Sequence, residues 1–382
     1  MRTEEQPAPL AEPPQPAQRG VLHRYRYPLA VWAMSRVGVY LVLAMQAWTS
    51  RRPRGSGFSF HAFYSSLGDW DATWYRWIAV HGYDPSIGHG NTAAFFPLYP
   101  LTWRPLTWLP GPETLWGSLL SSALLAVALC LLYRMTQGRY DEGMARRTVL
   151  YLAIFPLGFV FSLPYAESLF LLMALAAFAL PWYGRWWAGS AAAALAVLSR
   201  PVGIALFPAL AWRLWRQGAR RPVQYAPLLL LPIVELCFFA FLWRRTGDPL
   251  AHFHAQERGW GRGISVLPVV MVKAAWDALV DNHLRYLVHL GFTVLWCWLF
   301  YRAWRLRLPG EYLIFAGLLI LLPTSGGLLV SMGRFGMVAF PLFWALADWG
   351  RSERVDTAIR FAFPLLLAAL VFVTYGPRTF TP

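Results

Sequence analysis

Two aspartates, Asp69 and Asp71, stand two positions apart in the stretch "GDWDATWYRWIAVHGY". A carboxylate of this kind can act as a general base toward a hydroxyl, and two converging carboxylates can hold a divalent ion. The i, i+2 spacing places the pair on one face only in an extended segment. A single carboxylate acting as a base is the simpler interpretation. Alternatively, the pair solvates a loop or caps a helix that starts near Thr73, for which Asp69 is better placed.

Three further charged residues lie where apolar segments begin, end or break. Arg334 lies in "SMGRFG", and Arg200 precedes Pro201, which breaks a helix because it has no backbone donor. Both arginines are candidate phosphate ligands, since a planar guanidinium can bond two phosphate oxygens. Glu167 in "LPYAES" lies just inside the predicted start of a helix. The alternatives are that Arg334 reaches to the membrane interface, that Arg200 caps the break, and that Glu167 stabilises a helix start.

Histidines are less informative than these charges. His252 and His254 with Asp248 lack a fourth metal ligand, and the i, i+2 spacing suits only a strand, so we predict no metal site there. A divalent ion near the aspartates is possible chemistry but is not favoured, and we expect no soluble cofactor. His252 and Gln256, four positions apart, should share a helix face toward one cavity.

Composition excludes a large soluble domain. The 382 residues are 57% hydrophobic and only 14% charged, and apolar runs recur along the chain, many long enough to cross the ~30 Å hydrocarbon layer. The net charge of +15 is almost all arginine, and it clusters between apolar runs. This is typical of cytoplasmic loops that face anionic lipid, so we expect a membrane and not nucleic acid as the partner.

The apolar runs in the sequence therefore predict an all-α, polytopic integral membrane protein with about eleven transmembrane helices. Residues 1–22 are rich in Pro, Ala and Gln and are predicted to be a disordered cytoplasmic tail before a single transmembrane domain, 23–376. The predicted apolar segments are roughly 28–49, 114–133, 148–163, 165–182, 187–199, 201–214, 223–243, 284–304, 311–330, 335–349 and 357–375.

Arginine distribution predicts the orientation. With a cytoplasmic N-terminus, most basic clusters lie inside, although the clusters at 51–54 and 244–245 depart from the rule. The first outer loop is then 50–113, the second is 244–283, and 377–382 is a short outer tail. Within the second loop, "ISVLPVVMVKAAWDALV" is too short and polar to span and is predicted to lie flat on the outer leaflet.

Several motifs occur in an order that resembles a known family. "WDATWYRWIAVHGY" followed by "AAFFPLYPL", then "FSLPYAESLF", "LSRPVG", "GDPLAHFHAQERGWGR" and "SMGRFGMVAFPLFW", together resemble the PIG-V-like (GPI mannosyltransferase II) family. That family belongs to the GT-C class of polyprenyl-phosphate-sugar glycosyltransferases, and this chain looks like a bacterial member. The resemblance covers about residues 28–375, and its Trp-Asp and Pro-Tyr-x-Glu-Ser motifs are the specific ones.

The resemblance implies a GT-C-type bundle and an inverting transfer of mannose from a polyprenyl-phosphate carrier to a lipid-linked acceptor. The reaction would take place on the extracytoplasmic face of the cell membrane. By its motif, the resemblance assigns the role of catalytic base to Asp71, with Asp69 as a supporting candidate. Trp70, His81 and Tyr165 belong to the same motifs and are predicted to contact the substrate. The resemblance also implies a site role for Glu167, either binding sugar hydroxyls or orienting Arg200. The "FFPLYP" stretch would help to shape the roof of the pocket.

Two other functions stay open at this point. A lipid-glycan flippase would place paired charges deep in the spans, and a non-catalytic partner of another glycosyltransferase would keep the fold without the activity. The clustering of acids on one predicted outer face favours chemistry over transport. The acceptor, the linkage and the oligomeric state are not determined by the sequence, and the sugar could differ from mannose.

Overall fold

The computed structural model describes residues 21–50, 60–280 and 284–375. Over these residues the chain is helical and contains no β-strand, as the composition predicts. Most of the predicted tail 1–22 and all of the predicted tail 377–382 lie outside the described residues.

Helices of very different lengths follow one another along the described chain. In the first half they are α1 (Val21–Ser50), α2 (Phe60–Leu67), α3 (Asp71–His81), α4 (Leu98–Trp103), α5 (Glu113–Arg139), α6 (Glu142–Ala153), α7 (Glu167–Ala179), α8 (Trp186–Ser199) and α9 (Leu206–Arg216). In the second half they are α10 (Leu230–Thr246), α11 (Ala251–Trp260), α12 (Leu267–Val280), α13 (Leu284–Arg305), α14 (Gly310–Thr324), α15 (Met332–Met337), α16 (Phe340–Trp349) and α17 (Glu353–Tyr375). Short 3₁₀ segments connect them at Ile87–Ala94, Arg104–Trp108, Gly158–Ser162, Leu180–Tyr183, Pro201–Ala205 and Pro222–Leu229.

Four helices in the described residues are long and apolar enough to cross a membrane: Arg24–Thr49, Glu113–Arg139, Pro222–Thr246 and Glu353–Tyr375. Each carries an 18-residue apolar window, which approaches the length needed to span the hydrocarbon layer. Shorter apolar helices lie at Glu167–Tyr183, Trp186–Ser199 and Gly310–Thr324. The predicted class, an all-α membrane protein built from many apolar helices, is confirmed.

Two predicted segments, 148–163 and 335–349, are interrupted by non-helical residues. The segment 148–163 is divided because α6 ends at Ala153, ahead of Pro156, which restricts the residue before it and lacks a donor. The segment 335–349 is divided between α15 and α16, and Pro341 stands in the first turn of α16. Both predictions were wrong in their boundaries because apolar composition does not distinguish a continuous helix from a broken one.

The predicted break at Arg200 is confirmed. Arg200 is extended (φ −156°, ψ 140°) directly after α8, and the predicted segment 201–214 begins as the 3₁₀ segment Pro201–Ala205 before α9. A Cβ atom at Gly203 would lie 2.6 Å from the backbone nitrogen of Val197. Glycine therefore allows the chain to fold back against the last turns of α8 at this point.

The helices pack around a core formed largely by α5, α7 and α8. The α7 helix contacts both α5 and α8, and α1 closes this group against α5 and α6. Large aromatic side chains fill the interior, and Trp103, Trp296 and Trp344 are fully buried. These contacts fix the ends of α7 and α8, which carry Glu167 and Arg200.

A buried arginine in α1 holds the break that follows α6. Arg36 is 2% exposed, and its guanidinium donates to the carbonyl oxygens of Ala153 (2.7 Å) and Gly158 (2.8 Å) and to Ser162 Oγ (2.9 Å). The first two oxygens are at the end of α6 and in the following 3₁₀ segment, where the helical ladder is interrupted. Arg36 therefore supplies donors that the broken helix does not provide.

We expect the substitution Arg36→Met to lower the free energy of unfolding by about 1–3 kcal/mol, because buried carbonyl oxygens lose their donors. The measurement is thermal unfolding of the detergent-solubilised protein. Arg26→Met, which replaces an exposed arginine of the same helix, is the matched control and should leave the unfolding temperature close to that of the wild type. Equal stability of the two variants would contradict the assigned role.

Candidate functional site

One cavity of about 830 Å³ brings together residues from several separate parts of the chain. They come from the start of α3 and the segment before α4, from the break after α8, from α10 and α11 with the loop that follows, and from the ends of α14 and α15. The charged and polar lining residues include Asp71, Arg200, Glu235, His252, Gln256, Glu257, Arg262 and Arg334. Phe95 and Phe96 of the "FFPLYP" stretch also line this cavity, beside Ala94.

Asp71 is the first residue of α3 and faces Arg334. Its Oδ2 atom lies 2.7 Å from Arg334 Nη1, and its side chain is 18% exposed. The helix thus begins two residues before the predicted start near Thr73, and its N-cap is Trp70, which makes no side-chain capping bond. Trp70, and not Asp69, therefore holds the N-cap position, which does not match the alternative of a cap by Asp69.

Glu167 joins the two arginines that the sequence places far apart. Its Oε1 atom lies 2.7 Å from Arg200 Nη1 and 3.2 Å from Arg334 Nη1, and the Glu167 side chain is only 2% exposed. The start of α7 and the end of α8 meet here because the two helices are antiparallel neighbours joined by the segment Leu180–Tyr183. The pairing of Glu167 with Arg200, one of the alternatives from the sequence, is therefore observed.

Arg334 is buried within the protein. It is 6% exposed, its Nη2 atom donates to Ser331 Oγ at 2.9 Å, and its guanidinium lies 5.2 Å from the centre of the Tyr165 ring. Close helix packing holds it in place, because a Cβ atom at Gly336 would overlap the Trp296 ring. Arg334 is thus oriented by a hydroxyl, a ring and two carboxylates.

Strained backbone lies next to two of these charged residues. Trp70 precedes Asp71 with φ 60°, and Ser331, whose side chain accepts from Arg334, has φ 68°. A positive φ is costly for residues with a Cβ atom and is often retained at functional sites. Among non-glycine residues of the described chain, only Arg307 shares this feature.

The remaining predicted site residues divide into two groups. Tyr165 is buried against Arg334, and its hydroxyl lies 3.5 Å from the carbonyl oxygen of Asp69, so it supports the turn that carries Asp71. His81 is exposed at the other end of α3, about 15 Å along the helix axis, and its ring packs on Trp77. The structure therefore does not bring His81 to the cavity, and Trp70 contributes the strained turn without lining the cavity.

His252 and Gln256 lie on one face of α11 and both line the cavity, as their spacing predicts. His252 Nδ1 donates to the carbonyl oxygen of Ala93 at 3.0 Å, and Gln256 Nε2 donates to that of Ala94 at 3.2 Å. These bonds fasten α11 to the segment before α4. Burial lowers the pKa of His252 below 6.5, and the nearby Arg262 adds to this effect, while the bond to Ala93 opposes it.

The "HFH" residues do not converge. His254 Nδ1 lies 2.7 Å from Asp248 Oδ2, whereas His252 contacts the Ala93 backbone instead. Over the described residues no group of three or more His, Cys, Asp or Glu side chains has a metal-binding arrangement.

Arg262 is the cavity residue that the sequence analysis did not select. It lies in the loop after α11, and burial lowers its pKa to about 10, with the like charge of Arg334 acting in the same direction. Its motif, "HAQERGWGR", is part of the family resemblance, but no spacing rule distinguishes Arg262 from Arg258 in the same motif. Only folding of the loop against the end of α14 places it beside the other charges.

Comparison with known proteins reveals similarity of fold. No family model matches this chain, and no curated protein sequence matches it. The crystal structure of the Archaeoglobus fulgidus oligosaccharyltransferase in complex with zinc and sulfate matches with a TM-score of 0.50 and 14% identity, covering 90% of this chain and 53% of that chain. A second crystal structure of that protein, tethered through a disulfide to an acceptor peptide with the NVT sequon, matches with a TM-score of 0.44 and 14% identity. It covers 93% of this chain and 54% of that chain.

The chain spans about half the length of the oligosaccharyltransferase that it matches. At 14% identity the likeness shows the fold alone, which this chain shares with that oligosaccharyltransferase. The narrower resemblance to PIG-V-like proteins stays a prediction from the motifs.

We expect Glu167→Gln to destabilise the protein by about 3–5 kcal/mol, because two buried guanidiniums lose a shared carboxylate. Thermal unfolding in detergent measures this loss. Glu113→Gln is the matched control, since it removes a carboxylate from the more exposed pair with Arg76, and such pairs contribute at most about 1 kcal/mol. If Glu167→Gln lost no more stability than Glu113→Gln, the role of the buried network would be contradicted.

We also expect His252 to make the fold sensitive to acid. Its folded pKa lies below the unfolded value, so the unfolded state takes up the proton first, and this contribution to stability is present above about pH 6.5 and lost as the pH falls. The unfolding temperature of the wild type should therefore drop more between pH 7.5 and 5.5 than that of His252→Gln, whose amide can still donate to Ala93. Parallel pH profiles for the two proteins would refute this.

Proposed function

We propose that the protein is a membrane glycosyltransferase that moves a sugar, most simply mannose, from a polyprenyl-phosphate carrier to a lipid-linked acceptor. The observation that carries this proposal is the contact of Asp71 with Arg334 inside the cavity, at 2.7 Å. It places a candidate base next to a group of cations, as transfer from a phosphate carrier requires. The fold shared with the oligosaccharyltransferase supports the class of reaction, and the motif resemblance supports mannose and the lipid-linked acceptor.

Asp71 is the proposed general base. Arg334 donates a hydrogen bond to Oδ2 of Asp71. The Oδ1 atom of Asp71 has no hydrogen-bond partner among the described residues and is available to an acceptor hydroxyl. As the acceptor oxygen attacks the anomeric carbon, the proton passes to Asp71. The bond from that carbon to the carrier phosphate breaks, and the phosphate leaves with the electron pair. A single displacement of this kind inverts the anomeric configuration.

Arg334 and Arg200 would stabilise the leaving phosphate. Negative charge grows on the phosphate as the bond breaks, and fixed cations in a site that excludes water stabilise that charge more than they stabilise the ground state. Both side chains are less than a tenth exposed and are held by Glu167, so they need little reorganisation during the reaction. The proposed reaction uses the chain's own charges and no soluble cofactor.

The proposed orientation places the cavity on the extracytoplasmic side, with a cytoplasmic N-terminus. Basic residues support this assignment, because Arg213 and Arg216 lie in the last turn of α9, far along that helix from the break at Arg200. Arginine-rich ends favour the cytoplasmic face. The donor and acceptor would then be lipids of the outer leaflet.

We expect Asp71→Asn to lower the rate of sugar transfer by at least about 100-fold, because the amide cannot accept the hydroxyl proton in the same way. The assay supplies labelled polyprenyl-phosphate-mannose and host membranes and identifies the product lipid by mass. The control is Asp84→Asn, a change outside the cavity at a side chain that bonds only locally to Ser86. Wild-type transfer by the Asp71→Asn variant would eliminate the proposed base.

A further inference from the structure

Two of the three arginines in the cavity are already neutralised by carboxylates. Arg334 contacts Asp71 and Glu167, and Arg200 contacts Glu167, so these four side chains carry no net charge together. Arg262 lines the same cavity and forms no salt bridge within the described part of the chain. Its positive charge is therefore the uncompensated one in this group.

Arg262 also presents an unsatisfied donor. Its Nε–H is buried and finds no acceptor among the described residues. The same is true of Arg334 Nε, and Arg200 Nη1 meets Glu167 without the alignment of a hydrogen bond. Buried donors are almost always paired in proteins, so donors from three guanidiniums that converge on one cavity indicate a ligand rich in acceptor oxygens.

The loop that carries Arg262 is held in place by backbone hydrogen bonds. The nitrogen atoms of Gly263 and Ser265 donate to the carbonyl oxygens of Gly326 (3.0 Å) and Ser325 (2.9 Å), at the end of α14. The Arg262 guanidinium lies 5.8 Å from the centre of the Phe335 ring, and Arg200 lies 4.6 Å from the same ring. Arg262 is thus positioned beside the neutralised pair and does not extend freely into solvent.

Other acids of the cavity do not neutralise Arg262. Glu235 and Glu257 both line the cavity, but neither is within salt-bridge distance of Arg262 in the described residues. A planar guanidinium with free donors is well suited to two phosphate oxygens.

The surface next to Arg262 is apolar. Ile264, two residues on, lines the cavity and is fully exposed, and Val266, Val269 and Trp276 continue an exposed apolar surface along α12. A molecule with a phosphate at Arg262 could therefore lay a hydrocarbon chain along α12. This combination matches a lipid phosphate better than a soluble phosphate ester.

We propose that Arg262 is the primary ligand of the carrier phosphate, with the polyprenyl chain leaving along α12, while Arg334 and Arg200 position Asp71 and Glu167 and stabilise the phosphate charge only as it grows in the transition state. This inference rests on the proposed function for the identity of the carrier. It changes the roles expected of the three arginines, because Arg262, which has no carboxylate partner among the described residues, binds the phosphate first.

The test measures binding and not transfer. Purified protein in detergent is titrated with polyprenyl phosphate, with the uncharged polyprenol of equal length, and with inorganic phosphate. We expect the wild type to bind polyprenyl phosphate most tightly. Arg262→Gln should weaken that binding by about 10- to 100-fold, the effect of losing a charged hydrogen-bonding group, and leave polyprenol binding unchanged. Arg262→Lys should lose part of the affinity, because it keeps the charge without the fork.

Arg258→Gln is the matched control, since it removes an exposed arginine four residues earlier in the same chain segment. It should bind polyprenyl phosphate as the wild type does. Wild-type affinity in Arg262→Gln, or an equal loss in Arg258→Gln, would overturn the proposal. If the wild type bound inorganic phosphate as tightly as polyprenyl phosphate, the proposed path of the lipid chain along α12 would be wrong.

Failure of this proposal can be told apart from failure of the proposed function. If the wild type transfers no sugar but Arg262→Gln selectively loses polyprenyl phosphate, the lipid-phosphate site stands and the transferase does not. If transfer occurs and Arg262→Gln binds the carrier normally, the transferase stands and Arg262 is not its phosphate ligand.

Discussion

The buried contact of Glu167 with two arginines is the interaction on which the site depends. Charges removed from water are stable only when they are paired, and this carboxylate pairs Arg200 from one helix end with Arg334 from another. Arg334 in turn holds Asp71 at the start of α3. Four chain segments, the first and last of which are 263 positions apart, are thereby fixed relative to one another.

Breaks in the helices allow these charged side chains to meet inside the protein. Continuous helices satisfy their backbone internally and expose few groups within an apolar layer, whereas ends and breaks present side chains and free donors. The chain is interrupted at Pro156 and Pro201, and Arg36 satisfies carbonyl oxygens at the first interruption. Strained residues at Trp70 and Ser331 complete the turns that bring Asp71 and Arg334 together.

Charge balance separates two tasks that a phosphate-sugar transferase would have to perform. Paired arginines can orient acids without attracting an anion strongly, while an unpaired arginine attracts one. Arg262 differs from Arg200 and Arg334 in having no carboxylate partner among the described residues, although all three line the same cavity. The loop that carries it leads directly into the apolar surface of α12, so the charged and hydrocarbon parts of a lipid ligand would find adjacent surfaces.

The sequence by itself determined the class of fold, the break at Arg200 and the group of charged residues to consider, because hydropathy, proline and residue type act locally. It also placed His252 and Gln256 on one face, since helical periodicity is a local property. Tertiary structure alone decided that Arg334 meets Asp71, that His81 lies away from the cavity, and that Arg262 belongs to it. Those outcomes depend on how helices pack and where loops fold back, and contacts between distant segments leave no periodic signal in a single chain.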